Sequence, residues 1–148
     1  LRYRIEHVGS TAIPGMTAKP IIDLDIVIEQ GTFPLAEEGL SKLGYVHRGD
    51  LGVAGREAFG IGDAKLTAAL PVHHLYVCPQ DSHALRRHLA YRDFMRVHPE
   101  WVRRLSELKV SLCEMYNNDA DKYMDGKVDM YEEITALGLA SGSEGSGI

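Results

Sequence analysis

Two aspartates, Asp23 and Asp25, stand one residue apart in the otherwise apolar run of residues 21–28, IIDLDIVI. Residues two apart in a β-strand point to the same face, so both carboxylates are expected on one face of a strand. Carboxylates this close repel each other unless a partner lies nearby. Hard oxygen ligands of this kind suit Mg²⁺ or Mn²⁺. The pair therefore predicts a metal site or, alternatively, a pair that caps nearby backbone groups or forms a salt bridge with Lys19 or Arg56.

A short turn of Gly9, Ser10 and Thr11 precedes the acidic strand. Glycine lets the backbone approach a ligand closely, and the two hydroxyls can donate to phosphate oxygens. The same residues are also typical of a helix-capping turn. Coupling to the aspartate pair favours phosphate binding. Lys19, at the entrance to the acidic strand, can meet a phosphate or remain a solvated surface charge.

Three separate segments resemble the GrpB family of the nucleotidyltransferase superfamily. The first is EHVGSTAIPGMTAKPIIDLDIVIE over residues 6–29, where a Gly-Ser turn is followed by an acid–apolar–acid strand, as in the superfamily signature. The second is HHLYV over residues 73–77, and the third is SHALRRHLAYRDFMR over residues 82–96. These segments follow one another in the order expected for the family, and the resemblance spans residues 5 to about 110.

The resemblance implies an α/β (α+β) fold, a nucleotidyltransferase-like mixed β-sheet flanked by helices with a helical C-terminal part. It implies a site for a metal–nucleotide or another phosphorylated ligand, with Mg²⁺ or Mn²⁺, and transfer of a nucleotidyl group if the protein is an enzyme. Asp23, Asp25 and His74 would then be the catalytic and metal-binding residues. Gly9 and Ser10 would hold the phosphate, together with Thr11, Lys19 and Arg92.

The third carboxylate of active nucleotidyltransferases has no counterpart on the matching strand, which offers His74 and Tyr76 instead. Glu57 and Asp63 lie on or near a neighbouring segment and are the candidate substitutes. His74 can ligate a metal through a neutral imidazole, act as a general base, or simply be hydrogen-bonded in a half-buried strand.

A helix predicted over residues 83–97 carries His88, Arg92 and Arg96 at spacings of four, which places them on one face. Such a face can clamp a phosphate or a carboxylate through bidentate guanidinium contacts. It can also be a solvated basic stripe. The family resemblance favours Arg92 and its neighbour Asp93 as pocket or fold-anchoring residues. His7 is expected near the turn, either bonded to the aspartates or orienting the turn.

A second function fits the same motifs, namely a non-catalytic stabilising or regulatory module. GrpB-like domains also occur fused behind dephospho-CoA kinase, and the missing third acid is compatible with such a role. The chain has no phosphate-binding P-loop, so an isolated kinase is excluded. The expected partners are a nucleotide or phosphorylated small molecule and a possible fusion or partner domain.

The composition limits the remaining classes. The net charge of −5 argues against a general nucleic-acid binder, which needs a basic excess to offset phosphates. No apolar run reaches transmembrane length. With no signal peptide and no cysteine framework, Cys78 and Cys113 are expected to be free thiols in a reducing cytoplasm.

The elements that must position these residues follow from periodicity and breakers. Strands are predicted at residues 3–8, 21–29, 45–48, 56–61 and 72–78, and a short helix or helical turn, interrupted by Pro14 and Gly15, at 11–17. Further helices are predicted at 35–43, 83–97, from Glu100 onward, and at 128–137. The helix that starts at Glu100 has an apolar stripe, formed by Trp101, Leu105, Leu108, Leu112 and Met115. Residues 1–138 are predicted to be one domain and residues 139–148 a flexible Ser/Gly-rich tail. The chain begins at Leu1 rather than Met, so it is expected to be part of a longer protein. The family resemblance implies a further helix before the first motif, which is expected to be missing here.

Overall fold

The acidic strand lies between two neighbours in a five-stranded mixed sheet of the computed structural model, which describes residues 1–116 and 119–142. Along the sheet the order is β1-β2-β5-β4-β3. β2 pairs antiparallel with β1 and parallel with β5, whereas β4 pairs antiparallel with both β5 and β3. The strands are β1 (Tyr3–Val8), β2 (Ile22–Ile28), β3 (Tyr45–Gly49), β4 (Glu57–Ile61) and β5 (His73–Pro79).

Five α-helices flank the sheet within the described residues, so the predicted mixed α+β architecture is confirmed. None of these helices combines the length and the apolar character needed to cross a membrane. A 3₁₀ turn, Ser10–Ala12, follows β1. The helices are α1 (Phe33–Lys42), α2 (Ala64–Ala69), α3 (His83–Arg96), α4 (Pro99–Met115) and α5 (Ala120–Gly142).

The two faces of β2 have different chemistry, as the alternation of side chains requires. Leu24 and Ile26 pack into an apolar core beneath α1, together with Leu75 and Val77 of β5. The opposite face carries the two aspartates and lies towards the helical layer. The apolar cluster on this side of the sheet is small, and its buried members are Val27 of β2, Cys78 of β5 and Leu85 of α3. The acidic strand is therefore anchored by an apolar face on one side, which leaves the other side free for polar chemistry.

The helical layer has its own core, in which Ile13 of the first motif packs against α3, α4 and α5. Leu105 and Leu112 of the predicted stripe are buried, whereas Met115 at its end is exposed. This core ties the loop between β1 and β2 to the C-terminal helices. The other buried members are Tyr91, Phe94, Met95, Val102 and Ile134.

One helix prediction was confirmed in its shorter form and one was wrong. The segment 11–17 holds a helical turn, the 3₁₀ turn Ser10–Ala12, which ends before Pro14 and the left-handed Gly15 (φ 78°). The last helix starts at Ala120 rather than near residue 128, and it runs past Gly138. Gly126 and Gly138 do not break it, since each lets a neighbouring helix approach closely: a Cβ would meet Leu112 at the first position and the Ala90 backbone at the second. Of the predicted tail, residues 139–142 belong to α5 and residues 143–148 lie outside the described residues.

Candidate functional site

Each aspartate of β2 accepts a hydrogen bond from a histidine. Asp23 Oδ1 lies 2.9 Å from His74 Nδ1 on the adjacent β5, where the two residues are partners in the sheet register. Asp25 Oδ2 lies 2.6 Å from His88 Nδ1 on α3. Because a carboxylate oxygen accepts, Nδ1 carries the hydrogen in both rings. The alternative cations, Lys19 and Arg56, form no ion pair with either aspartate among the described residues.

The basic face of α3 binds the first motif of the chain rather than solvent. Arg92 donates from Nη1 to Glu6 Oε2 (2.6 Å) and to the His7 carbonyl oxygen (3.2 Å). Arg96 donates from Nε to the Ala12 carbonyl oxygen at 3.0 Å. Burial alone would raise the pKa of Glu6, but hydrogen bonds from Arg92 and Arg4 outweigh it and lower that pKa. His88, Arg92 and Arg96 on this face therefore hold the acidic strand and the turn of Gly9, Ser10 and Thr11 in place.

A cavity of about 480 Å³ lies between the sheet and α3, α4 and α5. Gly9, Ser10 and Asp23 form its floor, and His88 lines its wall. Asp25 is not part of the lining, because it is fully buried beneath His88. The remaining lining is mostly aromatic, basic and apolar, with one further carboxylate, that of Glu132: Val8, Arg56, Tyr76, Tyr91, Leu105, Lys109, Met124, Lys127, Val128, Tyr131 and Glu132.

Gly9 brings the loop after β1 directly against Asp23. Its φ of 74° is in the left-handed region, which favours glycine. A Cβ at this position would collide with the Asp23 carboxylate. Thr11 Oγ1 is bound to His7 Nε2 (2.9 Å) and donates to the Ile21 carbonyl oxygen (3.3 Å), so these side chains orient the turn. Of the predicted turn residues, Gly9 and Ser10 face the cavity, whereas Thr11 is engaged in holding the loop.

Three basic side chains line the cavity, and no described carboxylate is paired with any of them. Lys109 is buried and donates from Nζ to Ser10 Oγ (2.9 Å) and to the Thr17 carbonyl oxygen (3.1 Å). Burial, reinforced by the charge of Lys127, lowers the pKa of Lys109 to about 8. Burial also lowers the pKa of Lys127, whose Nζ lies 5.1 Å from the centre of the Tyr123 ring.

Arg56 is the third of these cations, and its guanidinium lies over the Tyr76 ring at 4.3 Å from the centroid. Its Nε is buried without a hydrogen-bond partner in the described part of the chain, and so is Asp25 Oδ1. The two carboxylates that also line the cavity, Asp23 and Glu132, are paired with His74 and Arg87. Among the described residues the three cations are therefore left without an ion-pair partner and can attract an anion. The cavity thus has the charge and the donors for a phosphorylated ligand.

Other residues predicted for the site lie elsewhere. Lys19 is exposed and Arg92 is bound to Glu6, and neither lines the cavity. The candidate substitutes for a third acid have structural roles. Glu57 Oε2 lies 2.9 Å from His47 Nε2, and Asp63 accepts the backbone N–H of the second residue of α2.

The donor set does not fit a resident metal centre. Within residues 1–116 and 119–142, no group of three or more His, Cys, Asp and Glu side chains is arranged to hold an ion. His74 uses its Nδ1 on Asp23, and Asp25 Oδ2 is taken by His88. The predicted ligands Asp23, Asp25 and His74 therefore contact histidine or carboxylate partners instead of converging on one point.

Sequence reasoning missed Lys109, Lys127 and Arg56 as cavity residues. Lys109 had a detectable signal, because it interrupts a buried stripe with Leu105 and Leu112 at helical spacing. A lysine at such a position is unusual unless a specific environment receives it. Lys127 and Arg56 gave no comparable signal, since their place depends on how the long last helix and the loop before β4 pack.

Comparisons with known proteins agree on one family. A family model described as "GrpB protein" matches residues 1–137. The chain is 36% identical over 124 residues to UPF0157 protein YqkA of Bacillus subtilis (strain 168), and the match covers 83% of this chain. It is 34% identical over 145 residues to a UPF0157 protein of Pseudomonas aeruginosa, with 93% of this chain covered. The chain spans only 35% of the length of the first relative and 56% of the second.

The fold is also similar to a solved structure described as "Crystal structure of conserved protein GrpB from Enterococcus faecalis". The TM-score is 0.76 at 28% sequence identity, and the match covers 93% of this chain and 81% of that chain. The likeness extends over the sheet and the helical layer, since so much of the chain is included.

Proposed function

Because this chain belongs to the GrpB family, we propose on the geometry of its cavity that it binds a phosphorylated ligand of nucleotide size. The proposal places the phosphates at Gly9, Ser10 and Lys109 and the rest of the ligand along the aromatic wall. It also places the family in the nucleotidyltransferase superfamily, with transfer of a nucleotidyl or phosphoryl group as the reaction.

The observation that carries the proposal is the ammonium of Lys109. It is buried, it is hydrogen-bonded only to the neutral oxygens of Ser10 and Thr17, and no carboxylate neutralises it among the described residues. A buried charge without a counter-charge is costly. A phosphate oxygen beside Ser10 would supply the missing negative charge, and the lowered pKa of Lys109 would rise on binding.

The size and lining of the cavity support a nucleotide over inorganic phosphate. A volume of about 480 Å³ lies within the usual range for small-molecule pockets. Tyr76 and Tyr131 line the cavity with aromatic rings that a planar base can contact, and the Arg56 guanidinium over the Tyr76 ring adds a cation to that wall. Lys127 adds a further cation on α5.

Among the described residues no cluster of side chains is arranged to bind the predicted Mg²⁺ or Mn²⁺, so the phosphorylated ligand is proposed to bind through the cations of the cavity. Asp23, Asp25 and His74 remain the polar residues of the acidic strand and its neighbour, and their partners are histidine and carboxylate groups of the chain itself. Ligand binding is therefore expected to persist in a chelator, since the cations of the cavity carry it.

The second candidate is a non-catalytic stabilising or regulatory module that binds the same ligand without turning it over. Its support is the engagement of both aspartates by histidines. Turnover of a bound nucleotide separates the two candidates.

The test is calorimetric titration with ATP, GTP, CTP, UTP and pyrophosphate, each in EDTA and in Mg²⁺. We expect at least one nucleotide to bind in EDTA, and Lys109→Met to weaken it at least tenfold. Lys65→Met on the exposed α2 is the matched control and should leave the affinity unchanged. Binding that is absent from every titration, or that is equal in the two lysine variants, would contradict the proposal. Phosphorus NMR of the same samples reports turnover.

A further inference from the structure

His88 and Asp25 form the most deeply placed polar pair in the described part of the chain. The Nδ1–Oδ2 distance is 2.6 Å, the Asp25 side chain is 0% exposed and the His88 side chain 17% exposed. Asp25 lies on a strand with neighbours on both sides, so its carboxylate is held rigidly. The pair therefore fixes the orientation of the His88 ring with respect to the sheet.

The second nitrogen of His88 is free and reachable. Since Nδ1 donates to Asp25, a neutral ring carries its lone pair on Nε2. No described residue forms a hydrogen bond with Nε2. Only two buried side-chain polar atoms in the described part of the chain lack a hydrogen-bond partner, Asp25 Oδ1 and Arg56 Nε. The unpaired Nε2 of His88 is therefore not sealed from solvent. His88 lines the same cavity as Ser10 and Lys109.

A purely structural role does not explain this arrangement. Arg92 and Leu85 already join α3 to the sheet, the first through Glu6 and the second through apolar packing. A buried charged pair is seldom more stabilising than apolar residues of similar volume. The neighbouring pair of Asp23 and His74 has the same atoms in contact, but His74 does not line the cavity.

We infer that His88, oriented by Asp25, is the general base of the site and accepts the proton of a hydroxyl group that attacks the bound phosphoryl group. This inference rests on the proposed function, and it deepens that function by naming the second substrate class, an alcohol or water. An aspartate that holds a histidine in the acceptor tautomer is an arrangement with known catalytic use.

The hydroxyl proton moves to His88 Nε2 while the hydroxyl oxygen forms a bond to phosphorus. The phosphoanhydride bond to the leaving phosphate breaks, and the leaving oxygen takes the electron pair. The imidazolium, stabilised by the Asp25 carboxylate, then returns its proton to the leaving group or to solvent. No oxidant, reductant or metal is consumed.

The test is nitrogen-15 NMR of histidine-labelled wild-type protein at pH 8, with the His88 signals assigned through the backbone, followed by addition of ATP. We expect a neutral ring with hydrogen on Nδ1, a bare Nε2, and a shift of the Nε2 signal on ATP addition. The exposed His83 should not shift. In Asp25→Asn the tautomer should reverse, because an amide can donate to Nδ1.

Each result decides the matter. Hydrogen on Nε2, or a doubly protonated ring at pH 8, overturns the inference. ATP that binds by calorimetry without moving the His88 Nε2 signal also overturns it, and the proposed function then survives. If ATP and the other nucleotides fail to bind, the proposed function falls and the base has no phosphoryl group to serve. If Asp25→Asn does not fold, the wild-type measurements still decide.

Discussion

The two aspartates of β2 are identical in type and each receives a histidine Nδ1, yet their surroundings differ sharply. The Asp23–His74 pair is open, with side-chain exposures of 28% and 54%, whereas Asp25–His88 has 0% and 17%. Coulombic and hydrogen-bond energies are stronger where water is excluded. The acid–apolar–acid pattern therefore places two carboxylates in different environments, one buried under His88 and one partly exposed at the floor of the cavity.

The largest expected effect is a loss of stability when the buried pair is broken. His88→Ala leaves the Asp25 carboxylate buried without a hydrogen bond, which costs about 3–5 kcal/mol. His74→Ala breaks the exposed pair and costs less than about 1 kcal/mol. Urea unfolding of both variants measures the two free energies. Equal losses in the two variants would remove the distinction between the pairs.

The next effect comes from the close approach of Gly9 to the open pair. Gly9→Ala combines a left-handed backbone (φ 74°) with a collision against Asp23. Gly31→Ala also places a side chain at positive φ (81°) but meets nothing within 4 Å, so it serves as the control for a positive-φ substitution without a collision. We expect Gly31→Ala to cost about 1–2 kcal/mol and Gly9→Ala about 1–3 kcal/mol more. Thermal and urea unfolding give the difference, and similar values for both would show that the loop has room beside Asp23.

A third effect follows from Lys109 and is read through pH. Its pKa is about 8 in the folded protein and near 10.5 when unfolded, so the unfolded state binds more protons between these values. The free energy of unfolding should therefore rise with pH from about 8 to 10.5, and Lys109→Met should lose that rise.

Nucleotide affinity should move the opposite way. The charged fraction of a group with a pKa of about 8 falls about tenfold between pH 7 and pH 9, so affinity should weaken by a similar factor. Calorimetry at the two pH values checks this, with Lys65→Met as control. Affinity that is flat across this range would exclude Lys109 as the phosphate contact.

The smallest effect concerns the contact that joins α3 to β1. Glu6→Gln weakens the bridge to Arg92 and should cost about 1 kcal/mol at neutral pH. The pKa of Glu6 is lowered in the fold, so its contribution is full above about 4.5 and is lost as pH falls through the folded value. Glu38→Gln, which breaks the exposed pair with Lys42, should have almost no effect. Unfolding curves at pH 7 and pH 3 test both variants.

Much of this arrangement followed from local pattern. The acidic strand, the helix that carries His88 and Arg92, and the family itself were predicted correctly. The partners of the aspartates could not be assigned, because His88 is 63 residues from Asp25 and is brought to it by helix packing.

Contacts across longer separations were less visible still. Lys109 reaches Ser10 over 99 residues, and α5 closes the cavity only because Gly126 and Gly138 let it pack closely. Glycines at those positions predict helix breaks in isolation. Tertiary packing overrode that local preference and thereby completed the wall of the site.

We propose that the cavity beneath α4 and α5 holds a phosphorylated ligand at Gly9, Ser10 and Lys109. The most direct measurement is a crystal structure of the protein soaked or co-crystallised with the nucleotide that binds best in calorimetry. We expect phosphate density within hydrogen-bond distance of Ser10 Oγ and Lys109 Nζ, with His88 Nε2 facing it. A nucleotide bound on any other surface, with this cavity unchanged, would show that the phosphate site lies elsewhere.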